Sequence, residues 1–297
     1  MDTSQAVADL TRDVLARETD ADAAWKALGQ AGLLGDGLGV PEMAAVLGEV
    51  GRAASGVPAL STLAFGVLPI SRCGTHAELL TGEHVFTAAL RGDVSGVDTL
   101  SGRAVGVLEA ARAHRILVPA GDIVYLVNPA DTTLTATRSA SGAPEYTVEF
   151  ADTPATRLGQ AGELHRLAVA GACAYGDGLL AGALALTAEH VRTREQFGKP
   201  LATFQAVAQQ IADVYIASRT LHLVAEAACS LDESDLAVAA YWLTEELVPA
   251  MHICHHLHGG LGVDAGYGLH RYYSAAKDLV RLLGGASHRL DEVILCG

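Results

Sequence analysis

The spacing of apolar side chains changes twice along the chain. From Gln5 to about Leu80 they recur with a helical period, as in Val7, Leu10, Val14 and Leu15, then Trp25 and Leu28, then Met43, Val46, Leu47 and Val50. That periodicity predicts short helices. Asp20 or Asp22 is placed to cap the second, Gly32 to end it and Pro41 to open the third. From His84 to about Phe150 the runs HVFTAAL, RAVGVLE, RILVPA, DIVYLV, TLTATR and EYTVEF are rich in Val, Ile, Thr and Tyr. Turn formers separate them at Gly92, Gly96, Gly102, Gly121, Asn128-Pro129 and Ser141-Gly142. Six short strands with no βαβ pattern predict a small antiparallel sheet or barrel. From Glu163 the helical period returns in longer stretches, 163–193, 203–230, 234–258 and 270–293, which read as an up-down bundle of four helices. The expected fold is mainly α with a β part: N-terminal helices over 1–82, a middle β domain over 83–157 and a C-terminal four-helix bundle over 158–297.

Composition excludes some classes of function. Half of the 297 residues are hydrophobic and the formal net charge is −14, so the chain has ample material for a core. A surface this acidic repels phosphate backbones, which argues against nucleic acid as a partner. No uncharged apolar run long enough to cross a membrane stands out, and the acid-containing N-terminus lacks the apolar stretch of a signal peptide. Cys73, Cys173, Cys229, Cys254 and Cys296 are odd in number and without CxxC spacing. Reduced thiols and a cytoplasmic location are therefore expected.

The chemistry concentrates between two predicted bundle helices and near the C-terminus. Arg194 is followed by Phe197-Gly198-Lys199-Pro200 and then by Phe204-Gln205; Ile211-Ala212-Asp213 comes next, and His258-Gly259-Gly260-Leu261-Gly262 lies farther on. With the three-part order and Trp25…Leu28…Gly32-Leu33 near the start, these motifs resemble the acyl-CoA dehydrogenase family. The resemblance implies an acyl-CoA dehydrogenase-like fold and FAD bound by Arg194, Phe197, Gln205, His256, His258, Gly259 and Gly260, mainly as groups offered to a flavin held by a neighbouring subunit. The residue types agree with that use. A planar guanidinium pairs with a pyrophosphate, an amide both donates and accepts, and glycines allow close backbone approach. The plain alternative is that Arg194 pairs with a helix acid and Gly259-Gly260 merely ends a helix.

Departures from the family pattern sharpen the picture. The family removes a Cα proton with a glutamate, found in most members just before Gly-Thr after an Arg-Asp pair. Here Lys277-Asp278 is followed by Leu282-Leu283-Gly284-Gly285-Ala286-Ser287, with no carboxylate. The other family position falls on Ala168, flanked by Leu167 and Val169; Glu163 is on the wrong face of the helix. The flavin-cradling loop of the family is replaced by Thr87-Ala88-Ala89-Leu90-Arg91-Gly92-Asp93-Val94-Ser95-Gly96, and a second flavin-holding stretch by Gly106-Val107-Leu108. The resemblance thus implies the short, degenerate subunit of an actinobacterial α2β2 acyl-CoA dehydrogenase acting on steroid side-chain CoA thioesters. No residue of this chain is expected to be catalytic. The implied partners are a homologous catalytic subunit, the acyl-CoA and an electron-transferring flavoprotein or similar acceptor. Two other readings stand beside it: a self-sufficient flavoenzyme with a relocated base such as Glu109 or Asp93, and a flavin-free scaffold. The cluster Met251-His252-Ile253-Cys254-His255-His256-Leu257-His258 puts His252, His255 and His256 on one face, but no metal is expected there. Arg271-Tyr272-Tyr273 is read equally as core or interface.

Overall fold

The computed structural model describes residues 3–74 and 76–296; the side chain of Cys296, expected as a reduced thiol, lies outside that description. The chain is mainly helical with one curled sheet, as the pattern predicts. Two compact units form. The first takes residues 1–47 and 56–172, and the second takes 48–55 and 173–297.

The first unit opens with α1 (Thr3–Arg17), α2 (Ala21–Gln30) and α3 (Val40–Arg52), the last running on into the second unit. Asp20 caps α2 by accepting from the Ala23 N–H at 2.9 Å. At the other end Gly32 takes φ +76, and the Leu33 and Gly32 amides reach back to the Leu28 and Gly29 carbonyls. That glycine closes the helix because a left-handed residue is needed there. Pro41 lies in the first turn of α3, as expected. A fully buried π-helical segment, Leu60–Val67, leads into α4 (Leu68–Cys73).

The sheet consists of β1 (Phe86–Ala88), β2 (Gly92–Gly96), β3 (Thr99–Leu108), β4 (Arg115–Ala120), β5 (Ile123–Val127), β6 (Thr133–Thr137) and β7 (Glu145–Gln160). Its order is β1-β4-β5-β7-β3-β2, with β6 also on β7. The sixteen-residue β7 joins both halves, pairing with β3 and β6 early and with β5 late. Two expectations are corrected. The sheet is not purely antiparallel, since β1 runs parallel to β4 with Phe86 opposite Arg115. The glycines at 92, 96 and 102 are not turns but strand positions in the β2–β3 pair, where a Cβ would strike the backbone of the partner strand. The sheet's core gathers Leu100, Ala104, Val107, Ile116, Val118, Val127 and Val148.

The second unit is built from α5 (Ala161–Thr193, entering at Cys173), α6 (Gln205–Ala228), α7 (Glu233–His258), α8 (Leu269–Leu282) and α9 (Ala286–Cys296). The fourth helix expected over 270–293 is therefore two, parted where Gly284 and Gly285 both take positive φ. Segment 48–55 lies directly on α5. A Cβ on Gly178 would meet the Gly48 carbonyl oxygen, and one on Gly51 would lie 2.9 Å from the Leu179 nitrogen. Tyr272 donates to the Arg52 carbonyl at 2.8 Å and Arg271 to that of Ala54 at 2.5 Å. Tyr272 thus satisfies the last carbonyl of α3, and Arg271 that of Ala54 in the turn that follows it. By length and composition α5 could cross a membrane, but the most apolar stretch of this helix is mostly buried inside the protein.

Gly178→Ala is expected to destabilise the protein by about 1–3 kcal/mol, the overpacking cost outweighing the helix-propensity gain. Urea unfolding of the variant against the native chain measures this; unchanged or increased stability would contradict the close approach.

Candidate functional site

The chain leaves α5 through a short hairpin, Glu195–Gln196 against Lys199–Pro200. Phe197 (φ +55) and Gly198 (φ +78) form its tip, the two positive values that a tight hairpin turn of this hand requires. Glycine meets that demand freely and phenylalanine at a cost. Phe197 is nevertheless 92% exposed, edge-on to Phe204 at 6.1 Å. Lys199 holds its ammonium 4.4 Å from the centre of the Phe204 ring. Arg194 stands at the root of the hairpin, its amide on the His190 carbonyl at 2.8 Å and its own carbonyl receiving the Leu201 amide at 2.9 Å. Its side chain is exposed and has no acid partner among the described residues. The pairing of Arg194 with a helix acid is thus not what the structure shows. Gln205 begins α6, exposed, and no side chain caps that helix, so its first amides are left for water or a ligand.

The end of α7 comes to the same place. His258 lies against His190 of α5 with ring centres 4.3 Å apart and planes 19° from parallel. The His258 Nδ1–H donates to the Cys254 carbonyl at 2.8 Å, which leaves Nε2 to accept from the Tyr267 hydroxyl at 3.2 Å. Only 5% exposed, with both nitrogens engaged, His258 braces the site from within. The structure thereby corrects its assignment as a cofactor contact, because a helical period shows which face a residue is on but not what covers it. His256 is exposed on the opposite side. Gly259 takes φ +58, ψ −136, a conformation reserved for glycine. Gly260 needs no such backbone, and a Cβ there would meet nothing within 4 Å. Nothing within the chain requires the absence of its side chain, so the position leaves room for an approach from outside.

The structure thus leaves Arg194, Phe197, Gln205, Gly259 and Gly260 exposed where α5 and α7 end and α6 begins, with His190 and His258 joining the two helices; His256 is exposed on the other side of α7. Sequence reasoning missed His190 and Tyr267. The signal for His190 was its place one helical turn before Arg194 in a chain whose other helix end is rich in histidine. Burial lowers the His258 pKa from its ordinary 6.5; His190 is lowered by burial, then by His258 and Arg194, and His255 by burial, then by His258. Burial thus favours the neutral form of all three imidazoles in the layer under the site.

The other candidates go elsewhere. His252 meets the Tyr273 hydroxyl at 2.9 Å and His255 packs edge-on to the same ring; among the described residues no group of three His, Cys, Asp or Glu is arranged to hold a metal. Glu109 is buried at φ +58 and accepts from the Arg112 guanidinium at 2.6 Å, and Asp93 is exposed on strand β2. Glu163 pairs with Arg72 at 2.6 Å. Thr87 is buried in β1, and Val107 lies in the sheet core.

Three comparisons bear on this arrangement. Residues 161–295 match the family model "Acyl-CoA dehydrogenase, C-terminal domain". Acyl-CoA dehydrogenase FadE28 of Mycobacterium tuberculosis is 44% identical over 97% of this chain and 95% of its own. The crystal structure of the ChsE4-ChsE5 complex from Mycobacterium tuberculosis superposes with TM-score 0.90 at 28% identity, covering 99% of this chain and 96% of the matched one. A variant of the Tcur3481-Tcur3483 steroid ACAD gives TM-score 0.91, again at 28% identity, over 98% and 96%.

A histidine with a depressed pKa binds its proton more readily in the unfolded chain. Its contribution is therefore complete above the ordinary imidazole value and is lost as pH falls through and below it. Asp177, raised by burial, works in the opposite direction. We expect His258→Ala to cost about 2–4 kcal/mol at neutral pH, from the lost ring packing and hydrogen bonds, and to lessen the fall in thermal midpoint on acidification from neutral pH. An unaltered pH slope would contradict the assignment of neutral His258.

Proposed function

The chain belongs to the acyl-CoA dehydrogenase family, and on that premise we propose that it is the subunit completing a shared FAD site in a heteromeric enzyme. The complex introduces an α,β double bond into a bulky acyl-CoA of the steroid side-chain kind. The observation that carries this reading is the outward presentation of Arg194 and the Gly259-Gly260 turn at one end of the helices, with no acid among the described residues on the guanidinium and open space over Gly260. Those residues fit the group. The exposed guanidinium suits a pyrophosphate, Gln205 and His256 offer hydrogen bonds to the adenosine half, and Gly260 leaves room for a bound nucleotide where a Cβ would stand.

When bound, FAD supplies the hydride acceptor of the dehydrogenation. This chain fixes and neutralises the phosphate end of the flavin nucleotide and shields it from water with Phe197 and Phe204. The homologous partner contributes the flavin cradle and the carboxylate that takes the Cα proton. Residues 282–287 contain no acid, and the acids nearest the other expected position or offered as substitutes are paired or lie on an exposed strand, which supports that division. Tyr215, Ile216 and Leu223, all exposed on α6, provide apolar area for a subunit contact. The two relatives of known structure, described as a ChsE4-ChsE5 complex and a Tcur3481-Tcur3483 steroid ACAD, support a pairing of unlike subunits and a steroid-derived acyl group.

Arg194→Ala in the co-expressed complex is expected to weaken FAD binding about 10–100-fold, the loss of a charge-assisted pair with phosphate, with Arg194→Lys in between. Flavin content by absorbance after gel filtration reads this directly. Full flavin content and turnover in Arg194→Ala would favour the flavin-free scaffold instead.

A further inference from the structure

His190 takes no part in any motif described above, yet it sits where the two halves of the site are joined. It occupies the last turn of α5, and its carbonyl receives the Arg194 amide at 2.8 Å. Its ring lies flat on His258, centres 4.3 Å apart. The plane of His258 is set from both edges, by the Cys254 carbonyl on α7 and by the Tyr267 hydroxyl in the loop after the glycine turn. The stack is thus a direct side-chain contact between the helix that launches the Arg194 hairpin and the helix that ends in Gly259-Gly260.

We propose that His190 is a positioning residue for FAD, holding the Arg194 hairpin in register with the Gly259-Gly260 turn through its stack on His258, and that the stack opens when the two rings take up protons. The proposal rests on the FAD-completing reading. Two neutral imidazoles pack face to face, whereas two imidazolium rings at this separation repel. The groups facing the pair offer no relief. Arg194 adds positive charge from the hairpin side, and His258 is preceded on α7 by His255, which His252 and His270 face in turn. Tyr267 is kept as a phenol by burial. Its hydroxyl now donates to Nε2 of His258 and must turn round before that nitrogen can be protonated. The neighbouring carboxylate, Glu189, is taken by Arg192 at 2.6 Å.

The test uses the co-expressed complex with His190→Phe, which keeps a stacking ring but cannot titrate, His190→Ala, which removes the ring, and Arg194→Ala as reference. FAD affinity is read by flavin fluorescence on dilution, together with the thermal midpoint, at about pH 8 and about pH 5.5, on either side of the imidazole range. His190→Phe is expected to match the native complex at the higher pH and to retain FAD about 10-fold more tightly at the lower, and His190→Ala to bind about 10-fold more weakly at the higher pH, the scale of a misplaced binding group. A role confined to stability would move the midpoint of His190→Ala without altering the acid dependence in His190→Phe. The proposal is overturned if His190→Phe loses FAD on acidification as steeply as the native complex, or if His190→Ala binds FAD normally. Should His190→Ala fail to assemble, the acid profile of His190→Phe decides alone. If Arg194→Ala also keeps full affinity, the FAD-completing reading itself has failed. If Arg194→Ala weakens binding while both His190 variants behave as native, only the positioning role is lost.

Discussion

How near another backbone can come to α5 governs the unit that carries the candidate site. Gly178 and Gly182 take the place of side chains that would collide with the carbonyls of Gly48 and Arg52, and Gly51 does the same from the other side. Because segment 48–55 can lie this close, its carbonyls come within reach of Arg271 and Tyr272 on α8. The same helix α5 ends in the Arg194 hairpin, and α8 begins just beyond the Gly259-Gly260 turn. Both halves of the site therefore depend on a backbone-to-backbone contact that tolerates no added methyl group.

On that frame the polar groups divide by depth. His190, His258 and Tyr267 lie beneath the surface and satisfy one another, which is what burial of polar rings demands. Arg194, Gln205, His256 and the two glycines stand outside with few partners of their own. The exposed Arg194 guanidinium has no acid beside it among the described residues, in a chain whose formal net charge is −14. On the proposed reading its partner is a phosphate group presented in fixed geometry by a bound nucleotide, since a charge-assisted pair competes with hydration only in such geometry.

Much of this architecture was legible in the sequence, and the failures have physical causes. Helix periods placed α5, α6 and α7 to within a few residues, and Asp20 and Gly32 marked the ends of α2 as their capping chemistry requires. The break before α9 was missed because apolar spacing continues across Gly284-Gly285. Strand β2 was missed because glycine signals turns and close strand approach alike, and only pairing tells them apart. The parallel β1–β4 pair is a non-local contact that no local pattern encodes. At the site, Phe197-Gly198 and Gly259-Gly260 were singled out by their resemblance to family motifs, while the hairpin itself was not expected. The inward course of His258 and its stack on His190 depend on how α5 and α7 pack, which spacing along either helix does not specify.

The central claim, that this chain completes a flavin site and does not form one alone, is met most directly by a flavin absorbance spectrum and a light-scattering mass of the same sample. Both are recorded for the chain by itself and for the chain co-expressed with a homologous catalytic acyl-CoA dehydrogenase subunit. The account predicts colourless material from the single chain, and from the pair a yellow complex with two copies of each subunit and one FAD per unlike pair. A yellow homo-oligomer that desaturates an acyl-CoA on its own would contradict it.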